Sequence, residues 1–342
     1  VFNRGRLNSS KLPQASAHKI FFGILLLTLA LYGTTSADPD PAASDQPLGP
    51  TKVAITIDDL PSGTGYFLPL MSRAEALERI LAALKANGVT APYGFSNGTF
   101  MEQDPTERSL LKMWLEAKLP LGNHTYHHFD LDKVGVQAFL NDIAKEDQLL
   151  ASLEPSVARR RVFRYPFLSE GSTLERREAV RKYLAQNGYR IAEVTTDYFD
   201  WAWNDAYDRC ASQHDEKSIQ WLKDHVTETA DRQLRSVNSV SERLLRHRIP
   251  QIVLIHLNVF TAITLGNVLQ QWKKEGVQFI ALDEATREPI FRFDPKFTSS
   301  GGRDFLTQIA GALGGIPPDY KDHNSTLARL DDVCKRPAAS PH

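Results

Sequence analysis

Short apolar, β-branched runs alternate along this chain with segments of helical period, and that alternation constrains its fold more than any other feature. Residues 53–57 form such a run. Ser72 with Glu75 then makes a capping box that opens a helix to Asn87, and Gly88 closes it. The pattern predicts further strands over 91–96, 119–123, 162–165, 190–195, 251–256 and 277–282. Helices are expected between them over 106–117, 136–153, 174–187, 218–247 and 261–274. A strand that reaches the next strand through a helix returns to the same end of the sheet, so the pairing is parallel. The expected class is therefore α/β, with a parallel sheet that is open or closed into a barrel.

With 342 residues the chain has room for one large core, since α/β barrels use about 200 to 250 residues as a single domain. Residues 52–285 hold the alternation and form the expected main domain. A polar, Cys-containing stretch and a long helical segment, near 202–248, read as an insertion into it. Beyond 285 the periodicity weakens, and Gly301-Gly302, Gly314-Gly315 and Pro317-Pro318 punctuate the chain. Residues 286–342 are expected to be a surface-packed extension.

The first 37 residues carry Arg4, Arg6, Lys11 and Lys19 and no acid, followed by an apolar run over 20–31 and small residues up to Ala37. This is the layout of an export signal, with cleavage expected after Ala37 and a Pro- and Asp-rich linker over 38–51. The mature chain is expected to be periplasmic or extracellular, without stable membrane insertion. Without the four leader cations, 36 Lys+Arg face 41 Asp+Glu, which gives nucleic-acid phosphates no electrostatic claim on it. Its two cysteines, Cys210 and Cys334, form a single expected bridge in an oxidising compartment.

Polar groups gather where the expected strands end. Asp58 and Asp59 follow the first strand, His124, His127 and His128 follow the third, and Arg164 and His256 end two others. The carboxyl ends of parallel strands line the ligand crevice of such folds, so four segments point to one rim. One carboxylate with two neutral imidazoles can hold a divalent metal while leaving coordination positions open, and a second carboxylate and a further histidine can move protons.

In order along the chain, Thr56-Ile57-Asp58-Asp59, His124-Thr125-Tyr126-His127-His128, Arg164-Tyr165-Pro166, Asp197-Tyr198-Phe199-Asp200-Trp201 and Leu254-Ile255-His256 resemble the five motifs of the NodB-like polysaccharide deacetylases, carbohydrate esterase family 4. The resemblance implies a distorted (β/α) barrel of seven or eight strands. It implies Asp59, His124 and His128 as ligands of one divalent metal, with zinc the default and cobalt or nickel compatible. Asp58 would be the general base, Arg164 its orienting partner, and His256 the general acid, tuned by Asp197. The Phe167 N–H would meet the oxyanion, Trp201 would be an apolar wall, and Asp200 would serve sugar contact or structural hydrogen bonding. His127 would be structural. The family usually continues Asp-Asp-Gly, whereas Leu60-Pro61 follows Asp59 here, so the loop beneath the metal must turn differently.

The implied reaction is removal of N-acetyl groups from N-acetylglucosamine units of a polysaccharide or oligosaccharide such as peptidoglycan, a chitin-like chain or an exopolysaccharide. Alternatives are an O-acetyl esterase or cyclic-amide hydrolase on the same scaffold, or a carbohydrate-binding protein without catalysis.

Overall fold

The computed structural model describes residues 49–61, 71–104, 106–153, 161–314 and 321–335; the expected leader and most of the expected linker lie outside them. Eight strands form one sheet: β1 (Lys52–Leu60), β2 (Tyr93–Ser96), β3 (Leu121–Asn123), β4 (Val162–Phe163), β5 (Arg190–Ile191), β6 (Thr196–Asp197), β7 (Gln251–His256) and β8 (Gln278–Phe279). Every pairing is parallel, in the order β5-β4-β3-β2-β1-β7-β6, with β8 paired to the start of β1.

The ends of that order are β5 and β6, yet only residues 192–195 join them. Seven flat strands would separate their outer members by about 29 Å at ~4.8 Å per step. Five backbone steps reach at most about 18 Å. The sheet must therefore curl until its edges nearly meet, and the result is the distorted barrel with an open seam.

Helices α1 (Arg73–Ala86), α2 (Glu107–Glu116), α3 (Val136–Leu153) and α4 (Leu174–Gln186) make the crossovers from β1 to β5. The Ser72 side chain accepts from the Glu75 N–H, as its spacing predicts. Along β1 the side chains alternate: Val53, Ile55 and Ile57 pack in the cluster that includes Leu77 and Ile80 of α1. Ala54 instead joins Tyr93, Phe95, Val162, Ala192 and Ile252. This period of two sends Thr56 and Asp58 the same way as Ala54, into the barrel.

The segment after β6 is helical, and the expectation for the C-terminal part needs correction. The polar, Cys-containing stretch is a helix, α5 (Asp200–Ser212), followed by the 30-residue α6 (Glu216–Leu245), before β7 and α7 (Val259–Lys274). Its polarity is one-sided, and Trp203, Ala206 and Cys210 are buried against the core. Nor is the chain beyond 285 only a surface extension. Helix α8 (Phe305–Ala312) buries Phe305, Leu306, Ile309 and Ala310, and the Phe305 N–H donates to the Val194 carbonyl at 2.7 Å, within the β5–β6 connection. It packs at the seam that the strands leave open. Helix α9 (Lys321–Asp332) then packs on α5, and Cys334 is bonded to Cys210, with Cα atoms 5.2 Å apart. Among the described residues no helix is long and apolar enough to cross a membrane.

Candidate active site

Adjacent residues of a regular strand point to opposite faces, so Asp58 and Asp59 should not share a site. The register of β1 on β2 shifts between Ile57 and Leu60, and Asp59 takes φ 60°. This irregularity turns Asp59 back toward the cavity that Asp58 already faces. Left-handed backbone recurs around the site at Thr125, His128, Phe167 and Phe199. Bulky residues rarely adopt this conformation, and its concentration around one cavity marks where local backbone comfort yields to side-chain placement.

Asp59, His124 and His128 offer ligand atoms within 4.8 Å of one another. Asp59 Oδ1 lies 3.5 Å from His124 Nε2 and 3.3 Å from His128 Nε2, and it is buried without a hydrogen-bond donor. A buried carboxylate oxygen without a donor is costly unless a cation or water serves it. The Nδ1 of His124 lies 2.9 Å from the Arg164 carbonyl, which can only accept, so Nδ1 carries the proton and Nε2 presents its lone pair. Burial, the dominant influence, pushes His124 down to about 4 and keeps it neutral. Burial would raise Asp59, but His128, His256 and His124 together hold it below the ordinary carboxylate value. These donors fit one divalent cation. His127 turns away: its Nδ1 and backbone N–H meet the two oxygens of Asp142 on α3, at 2.5 and 2.8 Å.

Asp58 borders this trio, with Oδ2 3.6 Å from His124 Nε2, but its hydrogen bonds come from Arg164. One terminal nitrogen of Arg164 donates to both of its oxygens, at 3.0 and 3.1 Å. The other donates to Thr56 Oγ1 at 3.1 Å, and Nε donates to the Ala192 carbonyl at 2.6 Å. The guanidinium is buried over the Phe95 ring, and its rigid fork fixes the carboxylate.

His256 lies directly across β1 and β7 from Asp58. Its carboxylate partner is Asp200, not Asp197. Asp200 Oδ1 meets His256 Nδ1 at 2.8 Å, while Oδ2 accepts from the His256 N–H at 2.7 Å, the Asn258 amide at 2.9 Å and the Thr261 hydroxyl at 2.8 Å. Burial opposes an imidazolium there, but Asp200, followed by Asp59 and Asp58, outweighs it and pushes His256 up to about 10. Asp197 accepts instead from the Phe199 N–H at 2.7 Å, lines the cavity, and is pushed up to about 7, chiefly by burial. The left-handed turn at Phe199 starts α5 at Asp200 and buries that carboxylate, leaving Asp197 at the end of β6.

A cavity of about 710 Å³ brings Asp58, Asp59, His124, His128, Phe167, Asp197, Trp201 and His256 together. Phe167 (55% exposed) and Trp201 (36%) offer apolar surface, and the Phe167 ring meets His128 edge-on at 4.4 Å between centroids. Arg164 and Asp200 stand behind this lining. Residues absent from the motifs complete it: Arg232, Gln233, Ser236, Val237 and Val240 of α6, Gly302 to Asp304, Leu306 and Asn324.

Residues 45–192 match the family described as polysaccharide deacetylase. Over that stretch the family model agrees with the resemblance to the NodB-like polysaccharide deacetylases. Solved structures similar to this chain include a family 4 carbohydrate esterase from Streptomyces lividans in complex with acetate, 19% identical over 70% of this chain and 96% of that one, with a TM-score of 0.46. A peptidoglycan N-acetylglucosamine deacetylase is 22% identical over 70% of this chain and 89% of that one, with a TM-score of 0.46. A family 4 pseudoenzyme from Bacillus anthracis is 18% identical over 69% and 66%, with a TM-score of 0.48. No curated protein sequence matches this chain significantly.

Proposed function

We propose that this deacetylase hydrolyses the acetamide of N-acetylglucosamine units in a polysaccharide or oligosaccharide. The observation that carries the reading is one cavity lined by two separately anchored proton-transfer groups, Asp58 held by Arg164 and His256 held by Asp200, beside the Asp59, His124 and His128 donor set.

That donor set would hold one divalent ion, with zinc first by ligand type and cobalt or nickel able to replace it; when bound, the ion supplies Lewis-acid polarisation of the acyl oxygen and acidifies water. Asp58, with both oxygens fixed by Arg164, takes the proton of the attacking water. The N–H of Phe167 would donate to the developing oxyanion. His256 has its Nδ1 committed to Asp200, so Nε2 gives the proton to the departing amine. Phe167 and Trp201 offer apolar faces to the sugar and its acetyl methyl group.

The exported location is part of the same proposal. The Cys210–Cys334 bond supports it, because structural disulfides belong to oxidising compartments.

Acetate release from a panel of N-acetylated and O-acetylated saccharides, with and without chelator, tests the function. Chelator-sensitive release from N-acetylated substrates is expected. Metal-loaded protein that releases acetate only from O-acetyl substrates, or from none, overturns the reading.

A further inference from the structure

Behind the catalytic groups, the cavity has a wall that owes nothing to the five motifs. The family match ends at residue 192, whereas the wall comes from α6 (Arg232, Gln233, Ser236, Val237, Val240) and from Gly302 to Asp304, Leu306 and Asn324. These two groups form one barrier. Helix α8 packs on α6, and α6 packs on β6 and β7, so the wall follows the rim from the loop after β4, past the β5–β6 seam, to β7.

The wall is also fixed. The Arg303 N–H donates to the Leu168 carbonyl at 3.3 Å, and the Phe305 N–H donates to that of Val194. Gly302 lies so close to the loop after β4 that a Cβ there would come within 1.7 Å of the Phe167 oxygen. Asp304 caps α8 through the Thr307 N–H at 3.0 Å, and α8 itself is buried in the core. Asn324 stands on α9, beyond whose end Cys334 is bonded to α5. A segment held at this many points is not a lid that swings aside for a polymer.

We infer that this wall restricts the site to the end of a glycan chain or to a short oligosaccharide, and excludes the interior of a long polymer. The inference rests on the deacetylase reading and names its substrate class. An interior sugar leaves the reacting position in two directions, because its two glycosidic neighbours lie on opposite sides of the ring. A wall along the β4-to-β7 side of the rim stands across one of these two directions. A cavity of about 710 Å³ falls among those that enclose most of a small ligand, roughly 300–1,000 Å³.

The test uses the full-length, metal-loaded protein and a ladder of N-acetylglucosamine oligomers from dimer to hexamer, each labelled at its reducing end. Fragment mass spectrometry locates the lost acetyl groups. Loss confined to one terminal unit at every length, with a rate per molecule that does not grow with length, is expected. Loss from interior units, or a rate that climbs with each added unit, overturns the inference. Binding of the same ladder to Asp58→Asn provides a readout independent of turnover. Affinity that stops improving after the first few units supports the wall even if no acetate is released from any saccharide, an outcome that would overturn the deacetylase reading alone. Affinity that improves through the hexamer overturns the wall. In Gln233→Ala combined with Arg303→Ala, which thins the barrier from both segments, interior deacetylation is expected to rise; terminal selectivity unchanged in that variant counts against the barrier as its cause.

Discussion

Replacing Asp200 by Asn keeps the shape of the side chain but removes one of its two acceptors. Four donors converge on the carboxylate: the His256 ring, the His256 N–H, the Asn258 amide and the Thr261 hydroxyl. An Asn oxygen can still serve the backbone and hydroxyl donors, but its amide then faces Nδ1 and forces the imidazole into the other tautomer. Nε2 retains a hydrogen, but on a neutral ring, which is a far weaker acid. Loss of a positioned proton donor costs about 10² to 10⁴ in turnover, or roughly 3 to 5 kcal/mol of barrier.

The same substitution has a stability signature that a merely structural residue would not produce. In metal-free protein His256 is raised from 6.5 to about 10, so its contribution is fully present below pH 6.5 and is lost as pH rises through about 10. The full difference corresponds to on the order of 5 kcal/mol. Urea unfolding of chelated wild type and Asp200→Asn across this window should show a gap that is widest at the acid end and shrinks toward pH 10. Acetate release under saturating substrate measures the turnover arm. A gap that does not change with pH, together with near-wild-type turnover, would refute the assignment. If Asp197→Asn instead produced both effects, Asp197 would be the tuning carboxylate.

His128→Ala should sharply lower metal content from roughly one ion per chain, whereas His127→Ala should leave most of it; elemental analysis of the purified variants decides. Asp58→Asn should retain metal and lose about 10² to 10⁴ of turnover. Glu146, buried on α3 where it accepts from Ser96 and from the Gly98 N–H, is pushed up to about 8, mainly by burial. Its stabilising contribution is therefore present below the ordinary 4.5 and falls as pH rises through about 8, so Glu146→Gln should flatten the decline of melting temperature over that range. Reducing the Cys210–Cys334 bond, which spans 124 residues, should lower stability by up to about 5 kcal/mol in a chain-entropy treatment, read by denaturation with and without reductant.

What the sequence revealed followed from local chemistry. The strand over 251–256 and the helix over 136–153 carry their periodicity in contiguous residues, and both were legible to the residue. The clustering of Asp59, His124 and His128 was legible because motif spacing places them at successive strand ends. The exchange of Asp197 for Asp200 was not, because Asp-x-x-Asp supplies two carboxylates and only the left-handed turn at Phe199 decides which one is buried under His256. Helix α8 is eight residues long, and its stabilising surface is a seam made by strands more than a hundred residues earlier, so no local window announces it. Asp142, which holds His127, had a faint signal: it lies four residues before Glu146 on the buried face of α3.

Synthesis order gives the seam a further meaning. The ribosome delivers all eight strands before it delivers Phe305, Leu306 and Ile309, so a nascent chain can pair its sheet and even place Asp58, His124 and His256 while the gap between β5 and β6 still stands open. Until α8 arrives, the Val194 carbonyl lacks its partner and the apolar surface that α8 covers faces water. A fragment cut at residue 285 would be held indefinitely in that unfinished state. Helix α8 is thus the last stave of this barrel, made only after every strand of the sheet that it closes.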